Sequence, residues 1–468
     1  MKSVRKVTWL IPLAIFFVSA QMADASEFDN SDTTNPPRLP GQAFPDENVL
    51  DSQFRKSVRI PDLITYSYHR NPSIRSATEA WRMTVEQYRI TTSYPDTQIM
   101  FTYFPEPIQT RLGPQDWNAS ISQMIPFPGK LFKAGEIVRT DAHIARLNLD
   151  KTVRDITAAI VESFHELRYI REARRIADQN VKLLDQLRKM GETAYAQDRA
   201  LFLDVVKAQS QSAQLRYDAL LLEELEQTET TRLNGLLNRE PDAGFGPLEK
   251  PPIRPLAHTL AEIYQIAEAG QEEIRMAHAV IEKTHAKMDM AMYQNLPDFK
   301  LGIFYASIGE PDVSSPPQDV GQDAFGLQFG VTLPLWSDKK EGRLLLAKAE
   351  VDKAKAVKAE RIIKTRTSIR NIFFRLRNAR RLISLYKDEM LPQAANAMEM
   401  AETWSREGEG SFSDFVETES VFYNFQLSLA RATADYGKYL VRLEQLAGRS
   451  LTEKTEFPEE NNRGKGEK

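Results

Sequence analysis

The residues with the most obvious chemical potential lie in THAKMDMAMYQ, 284–294, which contains His285, Met288, Met290 and Met292, with His278 upstream. Thioether and imidazole groups suit soft metals such as Cu(I). On a helix Met288 and Met292 share a face while Met290 points elsewhere, and methionine more often serves as a pliable packing residue. No metal site is assigned, and Met288, Met292 and His285 remain the weak candidates. Glu162 and Glu166 flank His165 at i, i+4 spacing, which would suit acid–base work, but Arg168, Arg171 and Arg174 follow, and a solvated charged face is expected. The remaining histidines, His69, His143 and His258, are scattered. No HExxH, G-x-S-x-G or Walker A pattern occurs. Neither an enzyme nor a nucleotide-driven machine is expected, and no cofactor is implied.

Composition narrows the class further. The 468 residues carry 61 basic and 65 acidic side chains, a formal charge of −4, so there is no electrostatic footprint for nucleic acid. Cysteine is absent, which excludes disulfides, thiolate metal sites and an N-terminal lipid on cysteine. Lys2, Arg5 and Lys6 precede an apolar run from Val7 to Ala20, and Ala23 and Ala25 offer a small-residue cleavage site. This reads as a secretory signal over 1–25. No later apolar run reaches 18 residues, so any lipid crossing must use strands closed into a barrel.

The elements that must position these residues come in two copies. SYPDTQIMFTYF (93–104) has a counterpart in NLPDFKLGIFYA (295–306), Pro126 in Pro334, and AYAQDRALFLDVVKAQ (194–209) in WSREGEGSFSDFVETE (404–419). The order of the three pairs is kept. Each copy reads as helix, two strands, very long helix, turn, long helix. A first helix is expected over about 72–93 and its counterpart over about 260–295. The resulting division is a mobile segment 26–47, a first repeat 48–239, a Pro/Gly-rich linker 240–257, a second repeat 258–452 and a mobile tail 453–468.

Strands are expected over 97–103, 117–125, 299–305 and 325–333, where the hydrophobic period is two. One face collects Ile99, Phe101, Tyr103, Trp117, Ala119, Ile121, Phe299, Leu301, Ile303, Tyr305, Phe325, Leu327, Phe329, Val331 and Leu333; the other is small and polar. That division separates lipid from lumen in a barrel. From Leu131 to about Ala196 there is no proline, and a helix of that length spans roughly 90–100 Å. It folds back from Ala200 to about Leu237 as a coiled-coil hairpin, and the second copy repeats this over 340–406 and 414–448, with Pro392 expected to kink the first arm. Between strand and helix, Pro126 and Pro128 hold the chain extended and Gly129 permits the turn; Pro334 serves the second copy.

With hinge, strands, tips and duplication in view, the chain resembles the TolC-type outer-membrane efflux family over about 48–452. IPFPGK (125–130) and the two x-G-x-x-S-x-x-D-like tips are the most specific matches. The resemblance implies a mixed α and β membrane protein: a homotrimer in which each protomer gives four strands to a twelve-strand outer-membrane β-barrel continuous with a periplasmic α-helical coiled-coil barrel. It further implies a passive exit duct of a tripartite efflux system for small molecules or metal ions. Its partners would be a periplasmic adaptor, an inner-membrane transporter of RND or ABC type, and outer-membrane lipid. A type I protein-secretion channel and a pore-less periplasmic adaptor are the alternatives. By the same resemblance Asp414 and Glu417 match acids that ring the periplasmic mouth, and Asp204 matches a contact that holds the closed state. The adaptor would dock on the tips, at Asp198, Ala200, Leu201, Gly408, Gly410 and Ser411. Two departures stand out: Asp198 occupies a usual glycine, and Gly410 replaces a basic gate residue, leaving Arg406 or Arg199 as the cation of the lock.

Overall fold

The computed structural model describes residues 47–196, 202–310, 320–407 and 412–453. Asp198, Arg199, Ala200, Leu201, Gly408, Gly410 and Ser411, with the signal and the tail beyond Glu453, lie outside the described residues; Asp204 and Arg406 are described as helical backbone only.

The elements in order are α1 (Glu47–Lys56), α2 (Ile60–Arg70), α3 (Pro72–Thr92), β1 (Gln98–Thr110), β2 (Gly113–Ile125), α4 (Lys130–Ala196) and α5 (Phe202–Leu237). There follow α6 (Leu260–Gly270), α7 (Glu272–Tyr293), β3 (Asp298–Ile308), β4 (Ala324–Thr332), α8 (Ser337–Ser384), a π-helical turn (Leu385–Met390), α9 (Leu391–Glu407) and α10 (Phe412–Ala447). From α2 onward the same order occurs twice, except that the long arm that is the single helix α4 in the first copy is divided into α8, the π turn and α9 in the second. No described helix is long and apolar enough to cross a membrane.

Two expectations need correction, and a third gains a specific form. The helix expected over 260–295 is two helices, α6 and α7, broken at Gln271, whose backbone is extended and whose Oε1 accepts from the Ile274 amide. Asn71 makes the matching corner between α2 and α3, accepting from the Ser73 amide and donating to the Leu236 carbonyl. In each case an amide side chain caps the next helix, a substitute for backbone bonding that periodicity does not reveal. Secondly, β1 and β2 extend beyond the expected 97–103 and 117–125. Pro105 and Pro107 cannot donate to a ladder, and they fall where the β1–β2 register shifts, between Tyr103 and Ile108. Thirdly, Pro392 produces a π turn. Its ring cannot tolerate the carbonyl of residue 388 in an α turn, and the chain widens over Leu385–Met390, with the Leu391 amide donating to the Tyr386 carbonyl.

The chain divides into two compact units. The first takes in Thr78–Arg146 and Ala279–Lys355, and holds a four-stranded antiparallel sheet in the order β1-β2-β3-β4. Gly113 makes the β1–β2 turn at φ +136°, where a side chain would strike the Gly309 carbonyl.

The second unit comprises residues 47–77, Leu147–His278 and the described residues from Ala356 on. In the first repeat Leu63 and Tyr66 of α2 pack on Phe164 and Leu167 of α4 and on Leu233 and Leu237 of α5. In the second, Ile263 and Ile266 of α6 pack on Phe373 and Leu376 of α8 and on Leu443 and Ala447 of α10. A third core joins the two hairpins. The linker is strapped down by Arg171, whose guanidinium donates to the Phe245 and Gly246 carbonyls and to Glu226.

Candidate functional site

Pairing across the sheet carries one apolar face through all four strands. Ile99 faces Ile121, Ile121 faces Ile303, and Ile303 faces Leu327; Phe101, Ala119, Tyr305 and Phe325 form the next row. Side chains alternate across a strand, so a continuous register keeps these rows on one side. Ile99 is 77% exposed, Leu327 79% and Phe329 70%, in a surface that water alone would not favour. Beyond β4 the apolar series continues through exposed Leu333, Leu335 and Trp336. Trp117 stacks between Phe101 and Tyr305, with ring centroids 5.6 and 5.3 Å away. The opposite rows bring together Thr102, Asn118, Ser120, Ser122, Gly302, Gly326, Gln328, Gly330 and Thr332, with Met100, Met124 and Phe304 as large exceptions. Among the described residues, neither the free edge of β1 nor that of β4 has a strand partner.

The hinge of the first copy is fastened to the second copy's strands. Pro126, Pro128 and Gly129 occupy the interval between β2 and α4, and Pro334 that between β4 and α8. The Phe127 amide donates to Asp298 Oδ1 at 2.9 Å, and the largely buried Lys130 ammonium reaches the same oxygen at 2.7 Å and the Leu296 carbonyl at 2.9 Å. Gly129 has φ +92°, and a Cβ there would lie 2.7 Å from the Tyr293 ring. Sequence reasoning found the hinge but missed its Lys130–Asp298 fastening, which links residues far apart in the chain.

The hairpin ends belong to the second unit. Asp414 and Glu417 are exposed in the first turns of α10, while Phe415 and Val416 between them are buried against Ile176, Leu184 and Leu187 of α4 and Ala208 of α5. One turn therefore holds its apolar side chains in the contact and its acids in solvent. Lys207 Nζ donates to Ser413 Oγ at 3.1 Å, bridging the first repeat's hairpin to the second's next to Asp414. Lys207 was not anticipated; its signal is a lysine three positions beyond Asp204. Around the first tip, Tyr195 meets Phe202 with ring centroids 5.7 Å apart, and both are exposed, as is Leu203.

The Glu162–His165–Glu166 group is not a solvated face. His165 is buried against Gly437 of α10. Burial first, then the charges of Arg168 and Lys438, push its imidazole down to about 4. Glu166 pairs with Arg431 at 2.7 Å and Lys438 at 2.5 Å. Burial alone would raise its carboxyl, but the two cations hold it below the usual range. Glu166 is thus paired across to α10, and Arg171 and Arg174 to Glu226 of α5, while the Nε of Arg168 is buried without a hydrogen-bond partner. His285 and Met292 are exposed and Met288 is half-buried, and among the described residues no three His, Asp or Glu side chains cluster to hold a metal.

A helical-hairpin protein with a four-stranded sheet, one face apolar and exposed, has the architecture of a membrane-channel protomer. Residues 263–449, which fall within the second repeat, match the model of the outer membrane efflux protein family. The described fold is that of the outer-membrane efflux channels. The chain is similar to the outer membrane protein VceC of Vibrio cholerae, with 18% identity and TM-score 0.68, over 84% of this chain and 96% of that one. It is similar to the outer-membrane channel OprN, with 18% identity and TM-score 0.69, over 90% of this chain and 100% of that one. The open state of the Neisseria gonorrhoeae MtrE outer membrane channel matches with 15% identity and TM-score 0.67, over 84% of this chain and 89% of that one. Among curated proteins, none matches the chain in sequence.

Proposed function

We propose that the protein is the outer-membrane exit duct of a tripartite efflux system, a passive homotrimeric channel carrying small molecules or metal ions out of the periplasm. The observation that carries this is the sheet: a continuous, largely exposed apolar face, a mostly small and polar reverse face, and two edges that have no strand partner among the described residues. In lipid an open edge leaves backbone groups unsatisfied, and pairing the β4 edge of one copy with the β1 edge of the next, three times over, removes every edge. The strand-to-helix prolines and the paired hairpins fit the same reading.

The remaining roles follow from this reading. Transport needs no catalytic residue, because the energy belongs to an inner-membrane transporter of RND or ABC type. The repeats 48–239 and 258–452 each supply a hairpin, and their ends are the site for a periplasmic adaptor; exposed Tyr195, Phe202 and Leu203 favour that assignment for the first tip. Asp414 and Glu417, repeated in three copies, form an acidic ring that draws cations to the mouth. The Lys207–Ser413 contact takes the place of the gate cation missing at Gly410.

The purified protein in a planar lipid bilayer tests this. Discrete conductance with cation preference is expected, and Asp414→Ala with Glu417→Ala should reduce that preference severalfold while conductance persists. Unchanged selectivity would remove the ring, and absence of conductance in detergent-extracted trimers would remove the channel.

A further inference from the structure

A buried carboxyl with one oxygen unbonded sits where the two hairpins meet. Glu419 shares a stripe of α10 with Phe415 and Tyr423, the stripe buried in the core formed with α4, α5 and α9. Glu419 is 2% exposed. Its Oε1 has no hydrogen-bond partner, and neither has Nδ2 of Asn180 on α4 nor Oε1 of Gln211 on α5. An ionised carboxylate in such a place is costly without a counter-charge.

The groups facing this stripe supply no cation. From α4 come Asn180 and Tyr169, from α5 Asp218, and from α10 itself Tyr423. Helix α9 adds Met398 and Ala401 to the core, flanked in sequence by the acids Glu399 and Glu402. The cations of the first hairpin are engaged elsewhere or exposed: Arg216 pairs with Asp185, Arg188 with Glu192 and Lys207 with Ser413, while Lys182 and Lys189 face solvent. No ion pair reaches Glu419 among the described residues.

We propose that Glu419 is a proton-sensitive element of the gate: protonated, it lets the two hairpins remain packed, and on losing its proton it loosens their contact and favours opening. Burial pushes this carboxyl up from 4.5 to about 7, and the nearby Asn180 side chain, although it makes no hydrogen bond that closes on Oε1, offsets part of the rise. The packed arrangement therefore binds the proton more tightly than a loosened, hydrated one. Its stability is complete below the ordinary carboxylate range, declines as pH rises toward about 7 and is level above that. The gate would thus be tighter in acid and looser at neutral pH. This runs on a different residue from the solvent-exposed Asp414 and Glu417, and it rests on the channel reading.

The test uses the full-length trimer, comparing wild type with Glu419→Gln, and with Glu419→Met should the amide prevent folding. Opening frequency in planar bilayers and thermal unfolding are both followed from about pH 4.5 to pH 8. Wild-type opening should rise by on the order of 10- to 100-fold across that range, while the neutral variant stays at the low-pH level throughout. The variant should unfold at the same temperature as wild type in acid and at a higher one near pH 8. A variant that follows wild type in both measurements across the range overturns the proposal. If neither protein conducts, the channel reading fails, and the pH-dependent gap in unfolding temperature still decides whether Glu419 binds a proton through packing.

Discussion

Gly437 shows how closely single residues set the contact between α4 and α10. A Cβ at this position would fall 2.2 Å from Cε1 and 2.3 Å from Nε2 of His165, well inside any van der Waals distance. Glycine within a helix costs about 1 kcal/mol relative to alanine, and here the missing methyl leaves room for an imidazole. Because burial holds that ring neutral down to about 4, it does not compete for charge with Glu166, Arg431 and Lys438 around it. Gly437→Ala gains helix propensity but must displace the ring from a filled core, so a net loss of about 1–3 kcal/mol is expected. Calorimetric or circular-dichroism melting would read this as a lower Tm. A variant as stable as wild type would mean that the ring can move aside freely.

At the scale of elements, the sequence was most legible where one local rule decided the outcome. Ile99, Phe101 and Tyr103 recur at every second position and form a strand; Leu131 to Ala196, free of proline, forms one helix. It was least legible where a side chain from elsewhere took over a backbone bond. At Gln271 the one local signal is the preceding Gly270, and the cap that a serine or aspartate would normally make comes from the glutamine side chain. Glu419 was invisible for a similar reason. Acids at 414, 417 and 419 look alike in sequence, and only packing against α4 and α5 separates the buried one from the two in solvent. The candidate residues on the tips were legible only through family resemblance, because no local physics singles out Asp204 or Arg406. The hinge lies between these extremes: its prolines and glycine were readable, and its anchoring by Lys130 to Asp298 was not. The glycine is the testable part. At φ +92°, with Tyr293 2.7 Å from the position of a Cβ, Gly129→Ala carries both backbone strain and a clash, which together should cost about 1–3 kcal/mol. Reduced yield of folded trimer from outer membranes, alongside a normal yield for Gly235→Ala on an open helix face, is the expected result. Equal yields would show that the hinge tolerates another geometry.

For the molecule as a whole the decisive question is which solvent each face of the sheet meets. A soluble protein with Ile99, Phe101, Leu327 and Phe329 exposed in adjoining rows would aggregate, whereas in a bilayer the same rows are the stabilising surface. Register makes this a sharp distinction, because neighbouring residues of one strand point to opposite faces. Leu327 pairs with Ile303 on the apolar face, and Gln328, next in sequence, pairs with Gly302 on the polar one. A guanidinium on the lipid face near the bilayer midplane costs roughly 2–4 kcal/mol per copy, and substitutions toward a lumen tune selectivity instead. In the proposed three-copy barrel the penalty of Leu327→Arg is enough to suppress assembly, so the variant should be depleted from the outer-membrane fraction and from trimers that resist detergent. Gln328→Arg should insert and trimerise normally, and should shift the conductance toward anions. If both variants assembled equally well, or failed equally, the assignment of one face to lipid and the other to water would be wrong, however well the helices resembled those of other channels.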